Sequence, residues 1–232
     1  MHVLDIGCGV GDVSLLAASL VGRHGTVTSI DIDPDALSLA QQRASSSVLN
    51  NITFVHSSVD AFQAEKPFDA VIGRHILIHL ADPLGTLRQV HGLLRTGGVA
   101  AFHEYDFSLI HKCYPPCPLH DRLIQVFHKV LSRDGGPGMG TRMFHLLIQA
   151  GFMTPDCRVE YPVDGGPESS FYEWFAESYR SIYPLMKSRG LLEPDEDWAD
   201  LDSLEKELRQ EAVSKGASFA SPAMIGAFAR KP

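Results

Sequence analysis

The stretch VLDIGCGVGDVS, Val3 to Ser14, constrains the fold more tightly than any other part of the chain. A short apolar run carrying one acid, Asp5, ends at three alternating glycines, Gly7, Gly9 and Gly11. Val13, Leu16, Ala17 and Leu20 then recur at i, i+3, i+4 and i+7, the apolar stripe of one helix face. A buried strand that turns through glycines straight into a helix brings main chain close to a ligand at the strand's carboxyl end.

The alternation continues. TVTSIDI (Thr26 to Ile32) reads as a second strand, and Pro34 opens the helix DALSLAQQRA at a position where a first turn tolerates proline. ITFVH and FDAVIG supply strands three and four. DPLGTLRQVHGLLRTGG reads as a helix with Asp82 as N-cap, Pro83 first and Gly97-Gly98 as its stop, and GVAAFHEYDF follows as strand five. Strands alternating with helices predict a parallel sheet wound on both faces. Beyond it, Pro118 to Arg133, Met139 to Ala150, Ser169 to Arg189 and Asp197 to Lys215 read as helices. CRVEYPV and PAMIGAFARKP add a sixth and a seventh strand. The expected organisation is a core over 1–106, with 107–232 supplying the last strands and helical cap insertions of the same compact domain.

The glycine spacing excludes two common ligands. A dinucleotide loop, G-x-G-x-x-G, needs its third glycine where Asp12 stands, and a carboxylate there repels a pyrophosphate. No Gly-Lys-Ser/Thr follows, which excludes a P-loop. The motif DIGCGVG, followed by an acid at the end of strand two, resembles the class I S-adenosylmethionine-dependent methyltransferases of the small-molecule type. The likeness extends in order to FDAVIGRHILIHLADP, LLRTGGV, MFHLLIQAGF and MIGAFARKP. It implies a Rossmann-like, doubly wound seven-stranded sheet, mostly parallel, with an antiparallel last strand and a helical cap.

The resemblance implies S-adenosyl-L-methionine as cofactor, which has no phosphate to neutralise. Gly7, Gly9 and Gly11 would then let the main chain lie against its sulfonium–ribose portion, with Asp5 also among the cofactor-binding residues. Asp31, twenty residues past Gly11, would accept the ribose hydroxyls, with Asp33 as runner-up. Ser57, Ser58 and Val59 would frame the adenine, and Ile32 is a further cofactor-binding residue the resemblance implies. Ser58 stands where most relatives carry an acid, and Asp60 is a possible substitute. Gly73 and Arg74 would line the methionine end. Family members carry helices ahead of the first strand, so this chain reads as N-terminally short, and weaker cofactor binding is the expectation.

Methyl transfer to a hydroxyl needs alignment and a proton acceptor. His75, His79, His103, Glu104 and Asp106 cluster at the ends of strands four and five, and His79 or Glu104 is the selected base. Six aromatic residues, Phe171, Tyr172, Trp174, Phe175, Tyr179 and Tyr183, crowd one helical run. Tyr172, Tyr179 and Tyr183 fall partly off its apolar stripe, which favours a pocket wall for a small, partly apolar acceptor. The alternative function is a methyltransferase-like protein that binds the cofactor without methylating.

Composition narrows the partners. A net charge of -8 offers no basic field for nucleic acid or anionic membranes, and no apolar run approaches the roughly 18 residues of a membrane span. A small-molecule acceptor, with no nucleic acid and no membrane, is the expectation, and a homodimer is compatible with the sequence. The N-terminus lacks a basic flank and does not read as a signal peptide, so the expected location is cytoplasmic. IHKCYPPCPLHD places His111, Cys113, Cys117 and His120 within ten residues. That spacing matches no usual zinc pattern, and an ordinary loop without metal is the expectation.

Overall fold

The computed structural model describes residues 1–109, 113–131, 138–192 and 201–232. Its first elements are β1 (His2–Ile6), α1 (Asp12–Val21), β2 (Thr26–Asp31), α2 (Pro34–Ser45), β3 (Ile52–His56) and β4 (Phe68–Arg74). After a single 3-10 turn at Leu77–His79 come α3 (Pro83–Leu93), β5 (Leu94–Asp106), β6 (Cys113–Tyr114), α4 (Pro118–Leu131) and α5 (Met139–Gln149). The chain ends with β7 (Asp156–Glu160), β8 (Val163–Gly165), α6 (Phe171–Ser188), α7 (Leu204–Lys215), β9 (Ser218–Ala220) and β10 (Ala223–Arg230). Two compact units result. One comprises Met1–Tyr105, Met139–Val159 and Ile225–Pro232, the other Asp106–Gly138 and Glu160–Met224.

The first unit holds a seven-stranded sheet in the order β3-β2-β1-β4-β5-β10-β7, with β10 antiparallel. β1 runs parallel to both β2 and β4, pairing Leu4 with Thr28 on one side and Val71 on the other. Val3, Leu4 and Ile6 are almost wholly buried, as a central strand covered on both faces requires. Strand order reverses between β1 and β4, and such a switch point opens a crevice at the strands' carboxyl ends.

Three local expectations change. The apolar stripe of α1 faces the sheet only in part: Leu16 and Leu20 are exposed, at 59% and 76%, while Ala17 packs on the sheet core and Ser14 and Ala18 are buried. Small residues let the helix lie close on β1 and β2, and this outweighs the larger pattern. α3 begins as expected, Asp82 accepting from the Gly85 amide at 2.9 Å, but ends at Leu93 instead of the glycines. Gly97 and Gly98 belong to an irregularity in β5, where pairing with β4 jumps from Phe68–Leu94 to Ala70–Val99. Main-chain bonds from Gly97 to Lys231 and from Lys231 to Gly98 tie that irregularity to the end of β10. The third change is a small antiparallel sheet, β6-β9-β8, whose strands are too short to show a period.

That small sheet lies in the second unit with α4, α6 and α7. The aromatic run of α6 packs in this unit: Tyr172, Phe175 and Tyr179 are fully buried, while Trp174 and Tyr183 are part-buried. Phe171 stacks on Phe219 at 4.8 Å, and Phe127 meets Phe175 edge-on at 5.5 Å. The Tyr172 hydroxyl donates to the Gly166 carbonyl at 3.1 Å, which explains how an off-stripe tyrosine can be buried. Of the expected terminal helices, Arg133 and 197–200 lie outside the described residues.

Candidate active site

β1 ends in a loop in which Gly7, Gly9 and Gly11 all have positive φ, at 66°, 51° and 85°. A Cβ on Gly7 would stand 2.5 Å from Ile76 Cδ1, whereas one on Gly9 would meet nothing within 4 Å. Gly7 therefore lets the loop close on the segment after β4, and Gly9 keeps a surface open. Gly11 is the N-cap of α1, packed against Ala40 and Phe54 of α2 and β3. Arg43 of α2 braces the loop from outside, donating to the Val10 carbonyl and to Asp12, both at 2.7 Å.

Asp31 closes the loop's other side. Its Oδ2 accepts from the Gly9 amide at 2.7 Å and its Oδ1 from the Asp33 amide at 2.9 Å. Each oxygen keeps a further lone pair for a ligand hydroxyl. Asp33 serves the following helix instead, its carboxylate capping α2 through the Asp35 and Ala36 amides.

Two cavities open here and share Gly7. One, about 240 Å³, is lined by Asp5, Cys8, Gly9, Val10, Asp12, Val13, Arg74 and His75. The other, about 170 Å³, is lined by Ile30, Asp31, Ile32, Ser57, Ser58, Val59, Asp60, Ile76, Leu80 and Thr86. Of the residues expected to hold a cofactor, Asp5, Gly9 and Arg74 thus face the first and Asp31, Ile32, Ser58 and Val59 the second, while Gly11 faces neither. Asp5 is buried and accepts from Ser14 Oγ at 2.5 Å. Burial pushes its carboxyl up to about 7, against the opposing pull of Ser14 and Arg74.

The two selected bases stand differently. Glu104 is fully buried and lines neither cavity; its Oε1 accepts from the Ile76 and Leu77 amides at 2.9 and 2.8 Å. It anchors the turn after β4, and burial raises it to about 7. His79 ends that turn on the exposed surface and also lines neither cavity. His75 does line the first. It has φ 55°, rare for a non-glycine residue, and its ring stacks on Tyr105 at 4.2 Å. Burial, with Arg74 nearby, lowers His75 to about 4. Sequence reasoning did not select Arg43, Ile76, Leu80 or Thr86. Arg43 sits on a helix separated from the loop by a whole strand, so nothing local marks it.

A methyltransferase-domain sequence profile matches residues 1–135. The chain belongs to that family. It is of the class I S-adenosylmethionine-dependent type. Over 103 residues it is 38% identical to aklanonic acid methyltransferase DauC of Streptomyces sp. strain C5, covering 44% of this chain and 46% of that protein. Over 109 residues it is 36% identical to a ubiquinone biosynthesis O-methyltransferase of Albidiferax ferrireducens, covering 46% and 42%. The methyltransferase chain thus spans less than half the length of these relatives. The YcgJ protein of Bacillus subtilis shares the fold, with a TM-score of 0.61 at 13% identity over 100% of this chain and 92% of that one. Among the described residues, no helix is long and apolar enough to cross a membrane.

Proposed function

We propose that this methyltransferase-family chain moves a methyl group from S-adenosyl-L-methionine to a small organic acceptor. The observation that carries the reading is the pair of cavities sharing Gly7, with Asp31 on one side and Arg74 on the other. The chemistry of the donors suits this cofactor. The Gly9 amide is already bonded to Asp31, so it is not turned to a phosphate, and four carboxyl groups, Asp5, Asp12, Asp31 and Asp60, line the cavities. A zwitterion joined to an uncharged adenosine is compatible with them where a pyrophosphate is not.

In this reading Asp31 receives the ribose hydroxyls, Ile32, Ser58 and Val59 frame the base, and Arg74 receives the carboxylate of the amino-acid end. Bound there, the cofactor supplies an activated methyl on a sulfonium. His75 takes the place next to the acceptor that His79 or Glu104 was expected to fill. Its imidazole is uncharged at neutral pH, so it can accept a hydrogen bond and orient a hydroxyl, while a proton it took up would be quickly released. Small acceptors are supported by the names of the relatives. The aromatic run of α6, with Trp174 and Tyr183 part-buried, keeps a partly apolar acceptor in the proposal.

Calorimetric titration with S-adenosylmethionine and with its demethylated product tests the first half of the proposal. Micromolar binding of both is the expected result, and absence of binding by either overturns it. Product mass over a panel of small hydroxyl, amine and carbon acceptors tests the second half.

A further inference from the structure

The second unit carries a cluster that the methyl-transfer reading does not use. Cys113 on β6 and His120 and Asp121 on α4 bring one thiol, one imidazole and one carboxylate within 4.8 Å of one another. Neither β6 nor the first turn of α4 could place all three alone. The intervening Cys113–Cys117 turn folds the chain back, with a cis peptide at Tyr114–Pro115. His111, the other histidine of this segment, lies outside the described residues.

We propose that Cys113, His120 and Asp121 bind a zinc ion, clipping β6 to the start of α4. Thiolate, imidazole and carboxylate are a borderline donor set that suits Zn²⁺ in tetrahedral geometry and disfavours Ca²⁺ or Mg²⁺, which prefer oxygen alone. Two features go beyond mere proximity. The Cys117 amide donates to Cys113 Sγ at 2.9 Å, a contact that stabilises sulfur as it gains negative charge. The Asp121 carboxylate lies 3.2 Å from His120 Nδ1 and 3.9 Å from Cys113 Sγ, so the three donor atoms surround one point.

The geometry also sets the strength of the site. His120 is wholly buried, and among the described residues its Nε2 has no hydrogen-bond partner. It lies among the rings of Phe171, Phe175 and Phe219. A zinc-bound imidazole normally donates its second N–H to an acceptor, and losing such a partner weakens binding by about 10–100-fold. Asp121 is half-exposed, leaving the fourth position open to water. The ion forms one bond to Cys113 sulfur as the thiol proton leaves to solvent, and dative bonds to the imidazole nitrogen and the carboxylate; nothing is oxidised or reduced. The affinity is expected to be weaker than that of a site closed by four thiolates.

The test uses the untagged full chain after dialysis against a chelator, titrated with zinc by calorimetry and with cobalt by absorption. One equivalent of each is expected to bind, cobalt with a thiolate charge-transfer band. Cys113→Ser should abolish that band and weaken zinc by more than about tenfold. Asp121→Asn, at a half-exposed position, should weaken zinc in the same direction. Cys157→Ser removes an exposed thiol outside the cluster and should leave both titrations unchanged. No saturable binding, a charge-transfer band that survives Cys113→Ser, or one lost in Cys157→Ser would overturn the proposal. If Cys113→Ser is misfolded by circular dichroism, Asp121→Asn decides: zinc affinity equal to that of the parent chain overturns it.

Discussion

Gly7 and Gly9 share a left-handed backbone but not an environment, and alanine should separate their roles. At Gly9 the added methyl meets open space, so the cost to the fold is the backbone penalty of about 1–2 kcal/mol. The methyl instead enters the cleft, and cofactor affinity should fall by more than stability does. At Gly7 the same strain is joined by a collision with Ile76, so denaturant melts should show the larger loss of stability there. Glu104 offers a second residue-scale measurement. The folded protein holds its proton up to about pH 7, against 4.5 for an ordinary glutamate. Stability should therefore fall as pH rises between those values, because the folded state binds more protons than the unfolded one. Glu104→Gln keeps an oxygen for the Ile76 and Leu77 amides but cannot ionise. Its stability relative to the parent should rise by about 2–3 kcal/mol across that interval. Parallel stability–pH curves for the two proteins would show that Glu104 does not titrate there.

At the scale of elements, Asp31 and Asp33 stand two residues apart and serve different ends. Asp33 caps α2, so Asp33→Ala should cost about 1 kcal/mol of stability and leave cofactor affinity within about twofold. Asp31 ends β2 and ties down the glycine loop, so Asp31→Ala should cost roughly tenfold to a hundredfold in affinity, the scale of one charge-assisted hydrogen bond. Thermal melts and calorimetry on the pair distinguish cap from ligand. α1 teaches a related point. Its leucines suggest one buried face, yet contact with the sheet selects Ser14 and Ala18, because the Ser14 hydroxyl also bonds to buried Asp5.

For the whole molecule, the residues lining the two cavities all belong to the first unit, so a bound cofactor acts on that unit directly. At a hundred times its dissociation constant, S-adenosylmethionine should stabilise the first unit by about 2.7 kcal/mol. Phe175→Ala truncates a fully buried ring in the second unit and should destabilise that unit by about 3–5 kcal/mol. Scanning calorimetry of the parent and the variant, each with and without cofactor, tells whether the units melt together. One transition that both changes move shows coupled unfolding, and two transitions moved separately show independent units.

The strand–glycine–helix turn and the alternation behind it were legible in the sequence, because each depends on contacts within a few residues or on a fixed period; Asp31 came from the family resemblance, its bond to the Gly9 amide spanning 22 residues. The order β3-β2-β1-β4-β5-β10-β7 was not legible, since alternation predicts parallel pairing but not which strands are neighbours. The faces of α1, the register jump at Gly97-Gly98 and the burial of Tyr172 and Tyr179 were not legible. They depend on what arrives from distant sequence: a close-lying sheet, the end of β10, a carbonyl at Gly166. The same holds for the titratable groups. Glu104 and His75 look alike as candidates on paper, and only the packed structure sends one into the core as an anchor and the other into the cavity. Local periodicity determines elements; which side chain is buried, and beside what, is decided when the elements meet.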